Sequence, residues 1–565
     1  MSAYSEKRRE TLRVAAALAC LCVVYLILAM TSLQTNSVTV DEFGHLPAGL
    51  NLLNTGDYRY CELNPPLMNA LSAVPMKLQG IEITLPRDFP EKYRHSFWDN
   101  GYLFMEQHRL DYHQLFVRSR YVTVLLVLLL GIVAFFWGRM LVPAHANRAG
   151  ILASLIWFEP NIMAHARLVT TDAGIALFAV LSLFTLHRYT AKPTWARAIA
   201  CGASLGLAQV VKFTALYLFP THVAASLVLV WKQPELRTRR FLLQVLTIFI
   251  VCTIVVDGSY GFDGLFKSAH ALAFKSTPFQ AISSSPAAGL PIPFPEEFLL
   301  ALDRQLADVQ LDTPSFLFGK SYSGGKWYYF LALLAIKTPI PLLVLGALAG
   351  YIAITGKGLP RLATLLLLFP AFTVVFMFSC FSSKQIGLRM ILPAIALLWI
   401  WIATTLASVD WSRNARRAIG LLLAWFVFET VLVYPDYLAY FNQFAGGSGK
   451  GYRYAVDSNS DWGQDLPALG AYMKQQHIDD IQLLYFGRVD PGIYGINYQV
   501  PIGGLTPGLV GISRSLYGRG YFLYDHGRLA WAEPIDVDKL HAVFVATIGR
   551  TIDIYRIPPT GGAPL

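Results

Sequence analysis

The sequence predicts a mainly α-helical polytopic membrane protein, a bundle of about eleven transmembrane helices with large extracytoplasmic loops and a small C-terminal α/β domain. Three observations predict it. Of the 565 residues, 55% are hydrophobic and 15% charged, with a mean hydropathy of +0.45, whereas a soluble domain carries about 25% charged residues. The apolar residues gather in runs close to the ~20 residues that cross a bilayer as helix. Lys and Arg concentrate in alternate connections between those runs. Together these exclude a soluble enzyme.

The runs lie near 13–32, 119–141, 149–166, 171–187, 196–212, 215–231, 241–257, 327–354, 362–382, 387–408 and 418–434. Two pairs are weakly divided: 149–187 by Glu159, Pro160, Arg167 and Asp172, and 196–231 by Lys212 and Pro220. The first run follows a basic start, but it exceeds a signal-peptide h-region and lacks a small-x-small cleavage site, so it reads as an uncleaved span. Three polar stretches stay outside the membrane: 33–118, 258–326 and 435–565.

Orientation follows from the basic residues. Alternate connections hold Lys7, Arg8, Arg9 and Arg13; Arg139 and Arg148; Arg188, Lys192 and Arg197; Lys232, Arg237, Arg239 and Arg240; Lys357 and Arg361; and Arg413, Arg416 and Arg417. The intervening short turns hold Arg167, Lys212, Lys384 and Arg389. This places the N-terminus in the cytoplasm and the three polar stretches on the opposite side. The net charge of +10 is thus largely a topology signal, and no nucleic-acid partner is expected.

Five cysteines (Cys20, Cys22, Cys201, Cys252 and Cys380) fall within spans and Cys61 lies in a loop, so neither a disulfide framework nor a metal-type cysteine spacing is present. No fixed-period repeat occurs. The division expected is a transmembrane domain over 1–434, with loops 33–118 and 258–326, and an extracytoplasmic α/β domain over 435–565, with a helix near 465–476.

Charges at membrane depth are costly and usually need a partner or a task. Here they cluster toward one side. Asp41, Glu42 and His45 follow the first span; Glu159, His165, Arg167 and Asp172 occupy an outer turn; Lys212, Lys326, Lys384 and Arg389 sit at outer span ends. Lys337, in the segment Lys-Thr-Pro-Ile-Pro, lies roughly 15 Å inside its span if helical. The pattern suggests a cavity that handles an anion, with carboxylates beside it. Blander readings stand next to this one. Asp41 is placed to cap a helix over 42–54, whose Phe43, Leu46, Leu50 and Leu53 fall on one face. Arg167, Lys212 and Arg389 are placed to snorkel to headgroups. Lys337 is too deep for that, and its two prolines free backbone carbonyls nearby. His45, His165 and Glu62 are candidate metal ligands without tight ligand spacing.

Two motifs fail on inspection. Gly446–Lys450 resembles a phosphate loop, but Phe444 holds the first glycine position and Gly451 replaces Ser/Thr. Asp457–Gly463 alternates oxygen ligands as calcium loops do, but its glycine is one place late and no distal Glu follows. Asx-turns leading into a helix capped by Asp465, with Pro467 in its first turn, explain it.

These residues, taken in order, resemble a known family. They are Asp41-Glu42; Tyr60–Leu67 with its Pro65-Pro66 pair; Ala166–Asp172; Lys212-Phe-Thr; Gly325–Phe330 running into Lys337-Thr-Pro339; Ile386–Pro393; Tyr437–Asn442; and Asp457–Asp465. The chain resembles bacterial glycosyltransferases of the membrane-embedded C-type (GT-C) superfold, in the branch of protein O-mannosyltransferases and lipid A aminoarabinose transferases. The resemblance implies a polyprenyl-phosphate sugar donor, a protein, lipid A or glycan acceptor, and inversion at the anomeric carbon. It implies that Asp41 is the catalytic aspartate of the first loop, that Asp172 is the acidic residue at the outer end of a later span, and that Glu62 lies near a metal- or substrate-contacting glutamate.

The chemistry agrees with the placement. An acceptor hydroxyl needs a base as it attacks, which Asp41, with Glu42 and Asp172 beside it, can supply. A departing lipid phosphate needs positive charge, for which Arg167, Lys212, Lys337, Lys384 and Arg389 are the candidates. Glu62 and His45 are candidates for contact with substrate or a divalent metal, though no metal is required by these residues. The rival class is a secondary transporter or flippase of a lipid-linked or anionic substrate, which usually shows an internal repeat and helices interrupted near the midplane.

Overall fold

The computed structural model describes residues 2–311, 314–501, 504–525, 528–540 and 542–559. The chain is a mainly helical polytopic membrane protein. Among the described residues, seven helices are long and apolar enough to cross a membrane: Arg8–Thr31, Tyr112–Leu141, Asp172–Ala191, Phe213–Lys232, Arg239–Ser259, Arg361–Phe381 and Leu388–Ala407. Tyr329–Lys337 and Ile340–Ile354, bent by 113° between them, make an eighth if they count as one span.

The eleven apolar runs do not all become full spans, for local reasons. Run 149–166 breaks into Ala146–Ser154, a turn of tighter helix at Leu155–Phe158, and Pro160–Ala166. Glu159 ends one piece and starts the next, its carboxylate accepting from the Ile162 amide at 2.7 Å. Run 196–212 is the short helix Trp195–Gln209. It lies against Arg239–Ser259 so closely that a Cβ on Gly202 would stand 2.4 Å from the Ile248 carbonyl oxygen, the small-residue contact by which membrane helices approach one another. The bend at Thr338–Pro339 follows from the prolines, which free carbonyls that others then satisfy. Asn442 Nδ2 donates to the Ala335 and Thr338 oxygens, and Asn161 Nδ2 to that of Lys337.

After the first span the chain enters a helix at Glu42–Thr55, ended by Gly56 at φ 72°, where a glycine adopts the left-handed cap without cost. The periodicity marked one apolar face, yet every residue from Glu42 to Leu52 is buried. Pro66–Lys77 and Phe97–Gln107 cover the rest. A Cβ on Gly49 would meet the Asn69 carbonyl oxygen at 2.0 Å.

The C-terminal segment carries a five-stranded sheet in the order Tyr498–Gln499, Ile481–Leu484, Gly508–Ser513, Ile552–Ile557, Val543–Ile548. The first two pairings are parallel and the last two antiparallel. Helix Leu466–Gln475 starts at the predicted place with Pro467 in its first turn, but Asp465 does not cap it with its side chain. That carboxylate instead accepts from the Arg550 amide and the Thr551 hydroxyl, both at 2.8 Å. This segment grips the loop after the first span: the Ser37 amide donates to the Gln464 oxygen and the Val40 amide to the Trp462 oxygen.

Candidate active site

Asp41 occupies the N-cap position of the Glu42–Thr55 helix but makes no capping hydrogen bond. Its Oδ2 accepts from Arg389 Nη1 at 2.7 Å. The same nitrogen lies 3.3 Å from Asp172 Oδ2, and Asp172 Oδ1 accepts from Lys212 Nζ at 2.7 Å. Carboxylates and cations therefore alternate: Asp41, Arg389, Asp172, Lys212. Arg389 is fixed further by Ser458, whose hydroxyl oxygen accepts from its Nε at 3.1 Å, and by the Trp462 ring 4.3 Å from its guanidinium. A lysine could not make this fork and stack together.

Beside the chain of charges lies a cavity of about 300 Å³. Asp41, His45, Lys212, Lys384 and Arg389 line its polar part. Phe213, Leu216, Met377, Phe378 and Phe381 line an apolar part. Lys384 pairs with Asp308 on the helix Glu296–Gln310, so each cation at the cavity is held by a carboxylate. Asp172 is fully buried behind Arg389 and Lys212.

Glu42 does different work from the Asp41 next to it. It is fully buried, and its two oxygens accept from Arg120 at 2.8 and 2.7 Å, from Thr39 and from the Val169 amide. Burial alone would raise its pKa, but Arg120 and these donors hold it below the ordinary carboxylate value. Arg120 also donates to the Leu33, Asn36 and Ser37 oxygens. The pair thus ties the loop that carries Asp41 to the helix Tyr112–Leu141, and both Glu42 oxygens are taken up by donors.

His45 Nδ1 contacts Asn69 Oδ1 at 2.8 Å, while Asn69 Nδ2 turns to the Cys61 sulfur. That arrangement makes Nδ1 the donor. Burial lowers the His45 pKa despite nearby Asp41, so the ring is neutral at pH 7 and Nε2 is an acceptor.

Several expected cavity residues lie elsewhere. Arg167 is buried, donates to the Ser32 oxygen and stacks 4.8 Å from the Tyr437 ring. Lys337 has polar surroundings, as its depth required, but they are the Leu438 and Asn459 carbonyls rather than the cavity. Glu62 accepts from the Phe97 amide at 2.9 Å. Among the described residues, no three of His, Cys, Asp and Glu stand close enough to hold a metal ion. Glu62 is engaged by backbone and Asp41 by Arg389, so a divalent metal does not fit the donors present. Arg120 and Asp308 were not singled out in the sequence, and Ser458 and Trp462 entered it only within the stretch Asp457–Asp465. Arg120 carried a signal, an arginine just inside the apolar run 119–141.

Residues 113–256 match the family model of dolichyl-phosphate-mannose-protein mannosyltransferase. The matched stretch carries Arg120, Arg167, Asp172 and Lys212. The relationship to mannosyltransferases that the motifs suggested holds over these residues. Among solved structures the chain is similar to ArnT from Cupriavidus metallidurans in the apo state, at 14% identity and a TM-score of 0.47, covering 98% of this chain and 99% of that one. ArnT bound to undecaprenyl phosphate aligns at 14% identity and a TM-score of 0.45 over 97% and 99%. The apo oligosaccharyltransferase of Archaeoglobus fulgidus aligns at 12% identity and a TM-score of 0.45 over 92% and 74%. No curated protein matches the chain by sequence. Likenesses this distant assign no residue a role.

Proposed function

We propose that this protein is a glycosyltransferase that takes a hexose or pentose from a polyprenyl-phosphate donor and passes it, with inversion, to an acceptor hydroxyl. One observation carries the reading: Asp41 shares a cavity with Lys212, Lys384 and Arg389, and the same cavity continues along Phe213, Leu216, Met377, Phe378 and Phe381. Cations beside a phenylalanine-rich wall suit a phosphate joined to a hydrocarbon chain, and the Asp41 carboxylate beside them suits a base.

In the proposed step the acceptor oxygen attacks the anomeric carbon and its proton passes to Asp41. The new C–O bond forms as the bond from carbon to phosphate oxygen breaks. Polyprenyl phosphate leaves with the electron pair, and Lys212, Lys384 and Arg389 meet the charge where it develops. These cations are held by Asp41, Asp172 and Asp308, so a donor phosphate would compete with those carboxylates and, at Arg389, free Asp41 to act. Neutral His45 can accept a hydrogen bond from a sugar hydroxyl.

The distribution of Lys and Arg supports a cytoplasmic N-terminus and an extracytoplasmic site in a bacterial inner membrane. We propose that 435–565 is an extracytoplasmic domain that holds the rear of the site through Ser458 and Trp462. The test is incubation of the purified protein with a panel of polyprenyl-phosphate sugars, following release of polyprenyl phosphate. Release with at least one donor is expected, and none from Asp41→Asn. No turnover of any donor, alongside donor-dependent transport in vesicles, would overturn the reading in favour of a transporter.

A further inference from the structure

A second cavity, of about 720 Å³, opens at the other end of the bundle. Arg139, one of its walls, is nineteen residues beyond Arg120 on the helix Tyr112–Leu141, or about 28 Å along its axis. That is close to the ~30 Å of a bilayer core, so the cavity sits at the leaflet opposite the candidate active site. Three arginines surround it: Arg139 and Arg188, each in the last turn of its helix, and Arg197, in the first turn of another. Val133, Phe136, Met140 and Phe184 form apolar walls.

Arginine at a helix C-terminus is ordinarily explained by the helix dipole, and at a cytoplasmic span end by topology. Topology accounts for all three, but the dipole does not account for Arg197, since the first turn of a helix disfavours a cation. Arg197 is nonetheless fixed there, its Nη1 donating to the Arg188 oxygen at 2.7 Å and the Lys192 oxygen at 3.3 Å. Among the described residues none of the three has a carboxylate partner, unlike every cation at the first cavity. Their neighbours are rings: Arg139 lies 5.5 Å from Phe135 and Arg188 5.8 Å from Phe184. Three guanidinium groups without a carboxylate partner around one hollow offer a site for an anion.

The surface leading to the hollow indicates which anion. Leu125, Leu129, Phe136 and Met140 are 51, 48, 51 and 37% exposed, and with Val133 they recur every three or four residues, forming one stripe along the helix. The stripe runs from mid-span to the arginines. A free phosphate would leave it unused, whereas an acyl chain lies along it. A zwitterionic headgroup would bring its own cation to three arginines. Basic hollows between span ends are a recurring way of holding anionic headgroups. We propose that this cavity binds an anionic phospholipid, its phosphate among Arg139, Arg188 and Arg197 and a chain along the Leu125–Met140 stripe. The proposal is independent of the reading of the first cavity.

The experiment is native mass spectrometry of the delipidated full chain titrated with phosphatidylglycerol or phosphatidylcholine, with inorganic phosphate as competitor. The expected result is at least tenfold tighter retention of phosphatidylglycerol, weakened tenfold or more in Arg139→Gln/Arg188→Gln and kept in Arg139→Lys/Arg188→Lys. Retention in the lysine variant separates lost charge from lost fold. Equal retention of the two lipids, unchanged binding by the glutamine variant, or displacement by millimolar phosphate would each overturn the proposal.

Discussion

Asp41 stands where a helix cap belongs, yet its carboxylate is turned to Arg389, 2.7 Å away, and makes no capping bond. This separates two roles that sequence alone leaves superposed. Asparagine has the same shape, and Arg389 keeps Asp172 as a carboxylate partner, but asparagine cannot accept a proton from an attacking hydroxyl. Asp41→Asn should therefore keep the thermal stability of the parent within a few degrees. It should lose about a hundredfold or more in turnover, the range of general base catalysis. Polyprenyl phosphate release by the purified variant measures it, and turnover near that of the parent would remove Asp41 as the base.

Arg389 joins four partners at once: Asp41, Asp172, Ser458 and the Trp462 ring. Lysine keeps the charge but not the planar fork. Arg389→Lys should fold and turn over donor slowly, losing about tenfold or more in kcat/KM. Arg389→Ala should also be destabilised by about 3–5 kcal/mol, because it leaves buried carboxylate charge uncompensated. Equal stability of the two variants would show that the carboxylates do not depend on this cation.

The sequence made the membrane architecture and the charged side of the site legible, because apolar runs and basic connections are local features. Asp41, Lys212, Lys384 and Arg389 were recognisable by placement at span ends, and they do line one cavity. Lys337 and Arg167 were recognisable as needing partners, but those partners are the Leu438, Asn459 and Ser32 carbonyls, about a hundred residues or more away in the chain. No spacing rule reaches that far. Separations of 78 and 76 residues likewise hid Arg120 as the partner of Glu42 and Asp308 as the partner of Lys384. Within the run 149–166 the interruption was legible at Glu159 and Pro160, and there the helix restarts.

The Glu42–Arg120 pair is fully enclosed, so its two halves should respond unequally to substitution. Removing one partner of a buried pair costs about 3–5 kcal/mol. Arg120 further satisfies three backbone oxygens, each of which would lose its donor. Arg120→Leu should then be more destabilising than Glu42→Leu, and the double variant should not return to parental stability. Thermal unfolding of the three variants in one detergent gives the order. Equal losses from the two single variants would mean that the Thr39 and Val169 donors held by Glu42 weigh as much as the carbonyl contacts of Arg120.

Two buried aspartates on the C-terminal side should make stability fall as pH rises. Asp461 accepts from the Gly463 and Ser515 amides, and burial, the largest influence, pushes its pKa up to about 7. Asp465 is pushed up to about 6, again chiefly by burial. An unfolded aspartate titrates near 3.9, so between that value and the folded one the folded state holds the extra proton. The associated stabilisation is fully present below about pH 4 and is lost as pH rises through about 6 to 7. The melting temperature should accordingly decline from pH 5 to pH 8. Asp461→Asn should flatten part of that decline, while starting lower because its amide NH2 meets one of the two backbone N–H groups. Equal pH slopes in the parent and in Asp461→Asn would show that the Asp461 carboxyl is not protonated in the folded protein.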